Sequence, residues 1–379
     1  MPMARSGGTR SVKANGLRLL SLTPSVAMPG GEVELHGVGL QAAETALPSV
    51  TVGETSAVVA MSRADRAVIR VSEAAITGDV ILERRGTASN ALELRVAVRM
   101  ANGLHPVANP AVDAKGNVYA TVSGVRGQSV PVSVFSVGRD FEVRPFVRGI
   151  LNATGLAFGE DGFLYVSSRA EGTVYRISPA GAVTTYATGM GIATGLAFDR
   201  EGNLFVGDRT GTIFKVGPER GATVANLPSG LADGGQIGSE QTGGELGDRE
   251  IFVYATLEPS VAAYHLAFND AGTLFVSAPT TSSNQAIYAI DRDGRTSVFY
   301  QGLGRPQGLA FDVDGNLYVA ASLRGQRGIV RITPQREASL TVVGNNLVGL
   351  AFLENGCAAL STRDSLYLVT LDIQGRKLV

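Results

Sequence analysis

Tyr264 and His265 stand side by side near the start of an apolar stretch, and a phenol next to an imidazole can serve as an acid–base pair. A packing or hydrogen-bonded role competes for the same two side chains. A second group is cationic: Arg126, Arg169, Arg209, Arg324 with Arg327, and Arg363 fall in corresponding loops, and Arg305 falls in a connection near them. Asn109, Thr154, Thr194 and Gln307 supply neutral polar groups at a repeated position. Guanidinium groups around a polar mouth would suit a carboxylate, a phosphate or a polyanion, because the planar fork of N–H donors matches two oxygens at once. Asp208 and Asp364 lie next to two of these arginines, so local ion pairing on a solvated surface is the competing expectation. No Ser/His/Asp arrangement, phosphate-cradling glycine loop or zinc-ligand spacing is present.

What must position these residues is a repeat. Gly-Leu-Ala-Phe recurs at Gly155–Phe158, Gly195–Phe198, Gly308–Phe311 and Gly349–Phe352, with a variant at His265–Phe268 in which histidine replaces the glycine. A turn glycine follows each of these five copies, and Gly116 marks one unit more: Gly116, Gly162, Gly202, Gly272, Gly315 and Gly356 mark six units spaced about forty residues apart, with one unit overlong by about thirty. Within a unit, four short apolar segments separated by turns form strands a, b, c and d of one propeller blade. Three residues beyond each turn glycine comes Tyr119, Tyr165, Phe205, Phe275, Tyr318 or Ala359, a peg expected to pack one blade on the next.

This spacing predicts a six-bladed β-propeller over 105–379, with a Gly-rich insert at about 217–250 in the third blade. The loops joining b to c and those joining d to a emerge on one face, which gathers the arginines there. His105 and His265 fall near the starts of innermost strands, and His265 would project into the tunnel. The turns Asp113-Ala-Lys-Gly-Asn, Asp199-Arg-Glu-Gly-Asn and Asp312-Val-Asp-Gly-Asn read as tight hairpins, since they lack the further oxygen ligands of a calcium loop. An open edge invites aggregation, so the ring needs an outermost strand from one terminus; Gly375–Val379 and Val96–Met100 compete for it, and Gly375–Val379 is expected because Leu92–Val98 is needed as the last strand of the domain ahead.

Ahead of the propeller, segments 32–36, 49–52, 67–71, 79–83 and 91–96 alternate apolar and polar residues between Gly/Pro turns, which predicts a small β-sandwich over 17–98 behind a flexible tail at 1–16. His36 falls on one of these strands and is expected at the surface or hydrogen-bonded. The single cysteine, Cys357, lies in an apolar run and is expected to be a buried thiol. Gly at 48 of 379 residues, charged residues at only 18% and no Trp suit this all-β reading. A net charge of −1 gives no overall pull toward nucleic acid. Met1–Gly16 has no apolar core of a signal peptide and no run of about eighteen apolar residues occurs, so the expectation is a cytoplasmic chain without a membrane span, or an exported one if a signal has been removed.

Two family resemblances rest on these motifs. Thr23-Pro24, Pro29-Gly-Gly-Glu-Val, His36-Gly-Val-Gly-Leu40, Val52-Gly-Glu and Gly78-Asp-Val resemble the immunoglobulin-like TIG (IPT) family, which implies a spacer or interaction module. The blades resemble NHL repeats and, more loosely, the gluconolactonase and senescence-marker-protein propeller. The latter resemblance implies a divalent metal in the tunnel, held by Glu, Asn and Asp at the starts of innermost strands. Counted from the turn glycines, those slots carry Ala108, Thr154, Thr194, Tyr264, Gln307 and Val348. None is a carboxylate, and calcium needs several oxygens with carboxylate charge. The reading is therefore a non-catalytic binding or scaffold protein for an anionic small molecule, glycan or protein, with no cofactor. A lactonase-type hydrolase or a lyase is the alternative, and only it calls for a divalent metal such as calcium.

Overall fold

The computed structural model describes residues 16–41, 47–218, 249–281 and 285–376. Most of the expected insert at 217–250, the tail before Gly16 and the last three residues lie outside them. The chain separates into two compact units, Met1–Val96 and Ala97–Val379.

The first unit is built from β1 (Arg18–Thr23), β2 (Val26–Ala27), β3 (Glu32–Val38), β4 (Ser49–Val52), β5 (Thr55–Ser62), β6 (Arg66–Arg70), β7 (Gly78–Arg84), β8 (Thr87–Ala88) and β9 (Leu92–Val96). Antiparallel pairing runs β1–β3–β6–β5–β4–β7–β9, and β2 lies parallel to β9. Burial alternates along β3, with Val33 and Leu35 inside, as a strand with one wet face requires. On that wet face Arg66 and Arg70 of β6 pair with Glu34 and Glu32 at 2.5 and 2.7 Å. His36 is half-buried there, 3.6 Å from Glu34.

The second unit contains β10 (Val98–Ala101), β11 (Ala111–Val112), β12 (Val118–Thr121), β13 (Val134–Val137), β14 (Val143–Val147), β15 (Ala153–Phe158), β16 (Leu164–Ser168), β17 (Thr173–Ile177), β18 (Val183–Ala187), β19 (Ala193–Phe198), β20 (Leu204–Asp208), β21 (Thr212–Val216) and β22 (Ile251–Thr256). It continues with β23 (His265–Phe268), β24 (Leu274–Ser277), β25 (Gln285–Ile290), β26 (Thr296–Leu303), β27 (Leu309–Phe311), β28 (Leu317–Leu323), β29 (Gln326–Ile332), β30 (Ala338–Val343), β31 (Leu347–Phe352), β32 (Cys357–Thr362) and β33 (Leu366–Thr370). Among the described residues, five separate four-stranded sheets form: β11–β14, β15–β18, β19–β22, β23–β26, and β31–β32–β33 with β10. The strands β27 to β30 pair antiparallel in the same order.

The a-to-b turns before β12, β16, β20, β24 and β28 are each wound around an aspartate or asparagine, whereas Glu354–Gly356 makes a short 3-10 turn before β32. Asp312 Oδ1 accepts from the backbone N–H groups of Asp314 and Asn316 at 3.0 and 2.8 Å, and its Oδ2 accepts from the Asn316 amide and the Tyr318 hydroxyl at 2.7 and 3.1 Å. Asp113 repeats the pattern with Lys115, Asn117 and Tyr119. These carboxylate oxygens are consumed by the turn, which makes it a hairpin device and leaves no calcium loop.

The aromatic pegs do join neighbouring sheets. Tyr165 meets Tyr186 of its own sheet and Phe198 of the next at ring-centroid distances of 4.8 Å, edge to face. Tyr119, Phe205 and Phe275 repeat this with Phe158, Phe268 and Phe311. Two residues beyond the peg, a small hydroxyl residue on strand b bonds the backbone of the next sheet. Thr121, Ser167, Ser277 and Ser361 donate to the carbonyls of Thr154, Thr194, Gln307 and Ala108 at 3.3, 2.5, 2.6 and 3.1 Å. The approach is close enough to demand glycine beside it: a Cβ at Gly155 would collide with the Thr194 carbonyl.

Two expectations are corrected. The outermost strand beside β33 is β10, with Val98 opposite Leu368 and Arg99 opposite Tyr367, so β10 takes the place expected for the segment beginning at Gly375. A single buried residue, Ala97, separates β9 from β10, so one continuous stretch supplies the last strand of the first unit and the closing strand of the second. The described end of the chain instead crosses two a-to-b turns: Gly375 bridges Asp312, and Arg376 pairs with Asp270 at 2.9 Å. Cys357 is only partly buried, because it opens β32 at the sheet's turn end, 3.7 Å from the Thr370 hydroxyl.

Candidate anion-binding face

Antiparallel order puts the b-to-c loops and the d-to-a connections at one end of the sheets. Arg126 (β12–β13), Arg169 (β16–β17), Arg209 (β20–β21), Arg324 and Arg327 (β28–β29), Arg363 (β32–β33) and Arg305 (β26–β27) are therefore at that end. Arg324 and Gly325 form the two-residue tip between β28 and β29, both with positive φ. Arg148, in the β14–β15 connection, shares this end and donates to the Pro131 carbonyl at 2.8 Å. Sequence reasoning missed it, although the connection that supplied Arg305 is of the same kind.

The arginines are tethered to neutral oxygens. Arg169 Nη2 donates to the Gly124 carbonyl at 2.9 Å, and Arg209 reaches the Ser260 and Val261 carbonyls at 3.4 and 3.2 Å. Arg327 donates to the carbonyl of Arg305 and to Gln307 Oε1, both at 2.8 Å, to the Gly304 carbonyl at 3.3 Å, and also to the Leu347 carbonyl. Carbonyl dipoles stabilise a guanidinium without cancelling its charge. Among the described ion pairs none involves any of these arginines.

The adjacent aspartates do not pair with them. Asp208 is buried and caps the backbone N–H groups of Ile192 and Thr210 at 2.8 and 3.1 Å, while Asp364 accepts from Ser365 at 3.2 Å. Burial, then Arg305 and Arg363, push the Arg327 guanidinium down to about 10, and burial, then Arg209 and Arg126, lower Arg169. In both, burial is the larger cause and the neighbouring arginines the smaller.

The neutral polar positions are spent within the fold. Thr154 and Thr194 are buried and donate to the carbonyls of Asn152 and Gly207 at 2.9 and 2.8 Å. Asn109 staples two neighbours, donating to the Leu309 carbonyl at 2.8 Å and accepting from the Leu350 N–H at 3.2 Å. With Gln307 held by Arg327, each of these groups makes hydrogen bonds within the fold. They also fit a tunnel metal poorly: the slots offer hydroxyl and amide oxygens already engaged, beside uncancelled cations. Among the described residues no group of three or more His, Cys, Asp or Glu side chains comes together.

Tyr264 and His265 do not form a pair. Tyr264 is fully buried, packs with Phe205, Ile213 and Leu266, and donates its hydroxyl to the Glu258 carbonyl; burial raises its pKa far above the usual phenol value. His265 is 3% exposed and lines an axial cavity of about 20 Å³ with Ala108, Asn109, Gly155 and Gly195. Its Nε2 is buried without a hydrogen-bond partner, and burial, aided by Arg327, pushes the imidazole down to about 3. His105 is exposed, with Nδ1 3.3 Å from the Arg363 carbonyl.

No protein-family model matches the chain, and no curated protein matches it. Solved structures do. An auxiliary nutrient binding protein from Bacteroides thetaiotaomicron superposes with a TM-score of 0.51 at 12% identity, over 94% of this chain and 98% of that one. A proposed gluconolactonase superposes with a TM-score of 0.50 at 19% identity, over 74% of this chain and 93% of the other. The fold is a β-propeller. At these identities the likeness extends to fold alone. Among the described residues no helix is long and apolar enough to cross a membrane.

Proposed function

We propose that the protein is a non-catalytic binding or scaffold protein whose propeller takes an anionic small molecule, glycan or protein on its arginine face. The observation that carries this is the tethering of Arg169, Arg209 and Arg327 to carbonyl and amide oxygens, with no described carboxylate within ion-pair distance of them. A surface that holds several guanidinium groups in place and leaves them uncancelled keeps a positive field for an anion to enter. We read β27–β30 as a sixth blade, on the strength of its matching strand order, its turn at Asp312 and its peg Tyr318. We read the first unit as a TIG-like module, which suits adhesion or presentation. That a propeller of similar fold is described as nutrient binding accords with this proposal.

A lactonase or lyase reading finds little support, since Tyr264 is consumed by packing and His265 is buried, with burial and Arg327 disfavouring its protonation. The test is binding of sulfate and of a sulfated oligosaccharide at increasing salt. Binding should weaken as salt rises and drop further in an Arg169→Ala/Arg209→Ala/Arg363→Ala variant. Binding unchanged in that variant would overturn the assignment, and turnover of a lactone or ester panel would replace it with the enzyme.

A further inference from the structure

The arginine face is not uniform. In the β16–β17 loop Glu171 holds the Tyr175 hydroxyl at 3.0 Å, and Glu258 is exposed in the β22–β23 connection, so carboxylates share the side that bears Arg126, Arg169 and Arg209. On the other side the acidic neighbour of Arg363 is Asp364, already engaged by Ser365. We propose that the face has one primary anion subsite, bounded by Arg305, Arg327 and Arg363, and that it takes a single oxyanion group of the ligand, a carboxylate or a sulfate-type group. This deepens the anion-binding reading and rests on it.

Arg327 is the fixed point. Four neutral oxygens, from Gly304, Arg305, Gln307 and Leu347, lock its guanidinium in place. Arg305 and Arg363 are exposed beside it and accept or donate through their backbones: the Arg305 carbonyl receives Arg327, and the Arg363 carbonyl faces His105. Their guanidinium groups therefore remain for a ligand. The axial cavity, lined by Ala108, Asn109 and His265, has a volume of about 20 Å³, room for one water and too little for the ligand itself. His265 lines that cavity and its Nε2 is buried and unpartnered, a costly state for a polar atom. An oxyanion seated over Arg327, with a water beneath it, would supply both the missing counter-charge and a polar partner toward His265. Burial and the two flanking arginines lower the Arg327 pKa, which agrees with a counter-charge being wanted at this spot.

The test uses selenate and sulfate as probes on the full chain. Crystals soaked in sodium selenate should show an anomalous peak among Arg305, Arg327 and Arg363. In solution, an Arg305→Asn/Arg363→Ala variant should bind sulfate about tenfold more weakly by calorimetry at fixed ionic strength, while Arg169→Ala stays within about threefold. Asparagine suits the left-handed backbone at 305, and circular dichroism checks that the variant is folded. Selenate found only beside Arg126, Arg169 and Arg209, with sulfate affinity intact in the double variant, overturns this subsite and spares the anion-binding reading. Selenate found nowhere on the face, with no sulfate heat, overturns both.

Discussion

Arg327 donates from Nη2 to the side-chain oxygen of Gln307 at 2.8 Å, so a neutral amide holds the most deeply placed guanidinium of the face where a carboxylate would fit. Gln307→Glu changes that shape hardly at all and places a formal negative charge in hydrogen-bond contact with the cation. A buried charge-assisted pair of this geometry is roughly neutral to favourable for folding. The expected outcome is a melting temperature equal to or above the parent's, together with sulfate affinity reduced about tenfold, since the site now carries its own counter-charge. Calorimetry and a thermal melt on the same preparation check both halves. Unaltered sulfate affinity would remove Arg327 from the binding surface.

Ser167 accepts from the Gly155 N–H at 2.8 Å and donates to the Thr194 carbonyl at 2.5 Å, bridging two sheets with one hydroxyl. Ser167→Ala leaves a buried donor and a buried acceptor without partners. The expected cost is about 1–3 kcal/mol in chemical denaturation. The corresponding position in β28 is Ala320, and there Gly308 N–H reaches the Val348 carbonyl directly at 3.0 Å. Ala320→Ser should therefore give no matching gain.

Much of this architecture is legible in the sequence because it repeats. The Gly-Leu-Ala-Phe strands, the Asp-containing turns and the aromatic pegs each recur with the same neighbours, so local pattern and tertiary packing agree. The hydroxyl bridges were equally present as Thr121, Ser167, Ser277 and Ser361, two residues past each peg, but small residues in an apolar strand carry no obvious meaning until the adjacent carbonyl is seen. The ring closure was misplaced for a different reason. Val98–Ala101 and Gly375 onward are both short and apolar-polar, and only pairing with β33 distinguishes them. At the mouth, the sequence located the arginines by loop but could not say what they touch. Asp208 lies beside Arg209 in the chain and turns away to cap Ile192, whereas Gln307, twenty residues from Arg327, is what holds it.

Tyr165 separates packing from hydrogen bonding in one residue. Its ring meets Tyr186 and Phe198, and its hydroxyl donates to Asp161 at 2.8 Å. Tyr165→Phe keeps the ring and should cost about 1 kcal/mol. Tyr165→Ala empties the junction between two sheets and should cost about 3–5 kcal/mol. Urea titrations of the two variants decide the matter: near-equal losses would mean that the turn, and not the peg, holds the sheets together.

The closing strand makes an ordered prediction about two distant residues. Met100 of β10 is buried against Leu104, Val118 and Leu366, whereas Arg376 secures the crossing tail through Asp270. Met100→Ala should cost about 2–4 kcal/mol by loss of buried volume. Arg376→Ala should cost about 1 kcal/mol, the scale of a partly exposed ion pair. A larger loss from Arg376→Ala would restore the C-terminal segment as the element that secures the ring.

His265 gives the fold an acid-sensitive point at its axis. Burial first, and Arg327 second, depress the imidazole from its ordinary value of 6.5 to about 3. The unfolded chain therefore binds a proton between these values that the folded chain refuses. Stability from this group is complete above pH 6.5 and is lost as pH falls toward 3, with a slope of about 1.4 kcal/mol per pH unit for one proton. His265→Leu removes the titrating group and keeps the apolar volume near the cavity. Denaturant midpoints for parent and variant, taken from pH 8 down to pH 4, should show the parent losing stability relative to the variant below about pH 6.5, because only the parent carries this penalty. Parallel pH profiles would show that the folded imidazole titrates as the unfolded one does, so that burial beside Arg327 does not depress it.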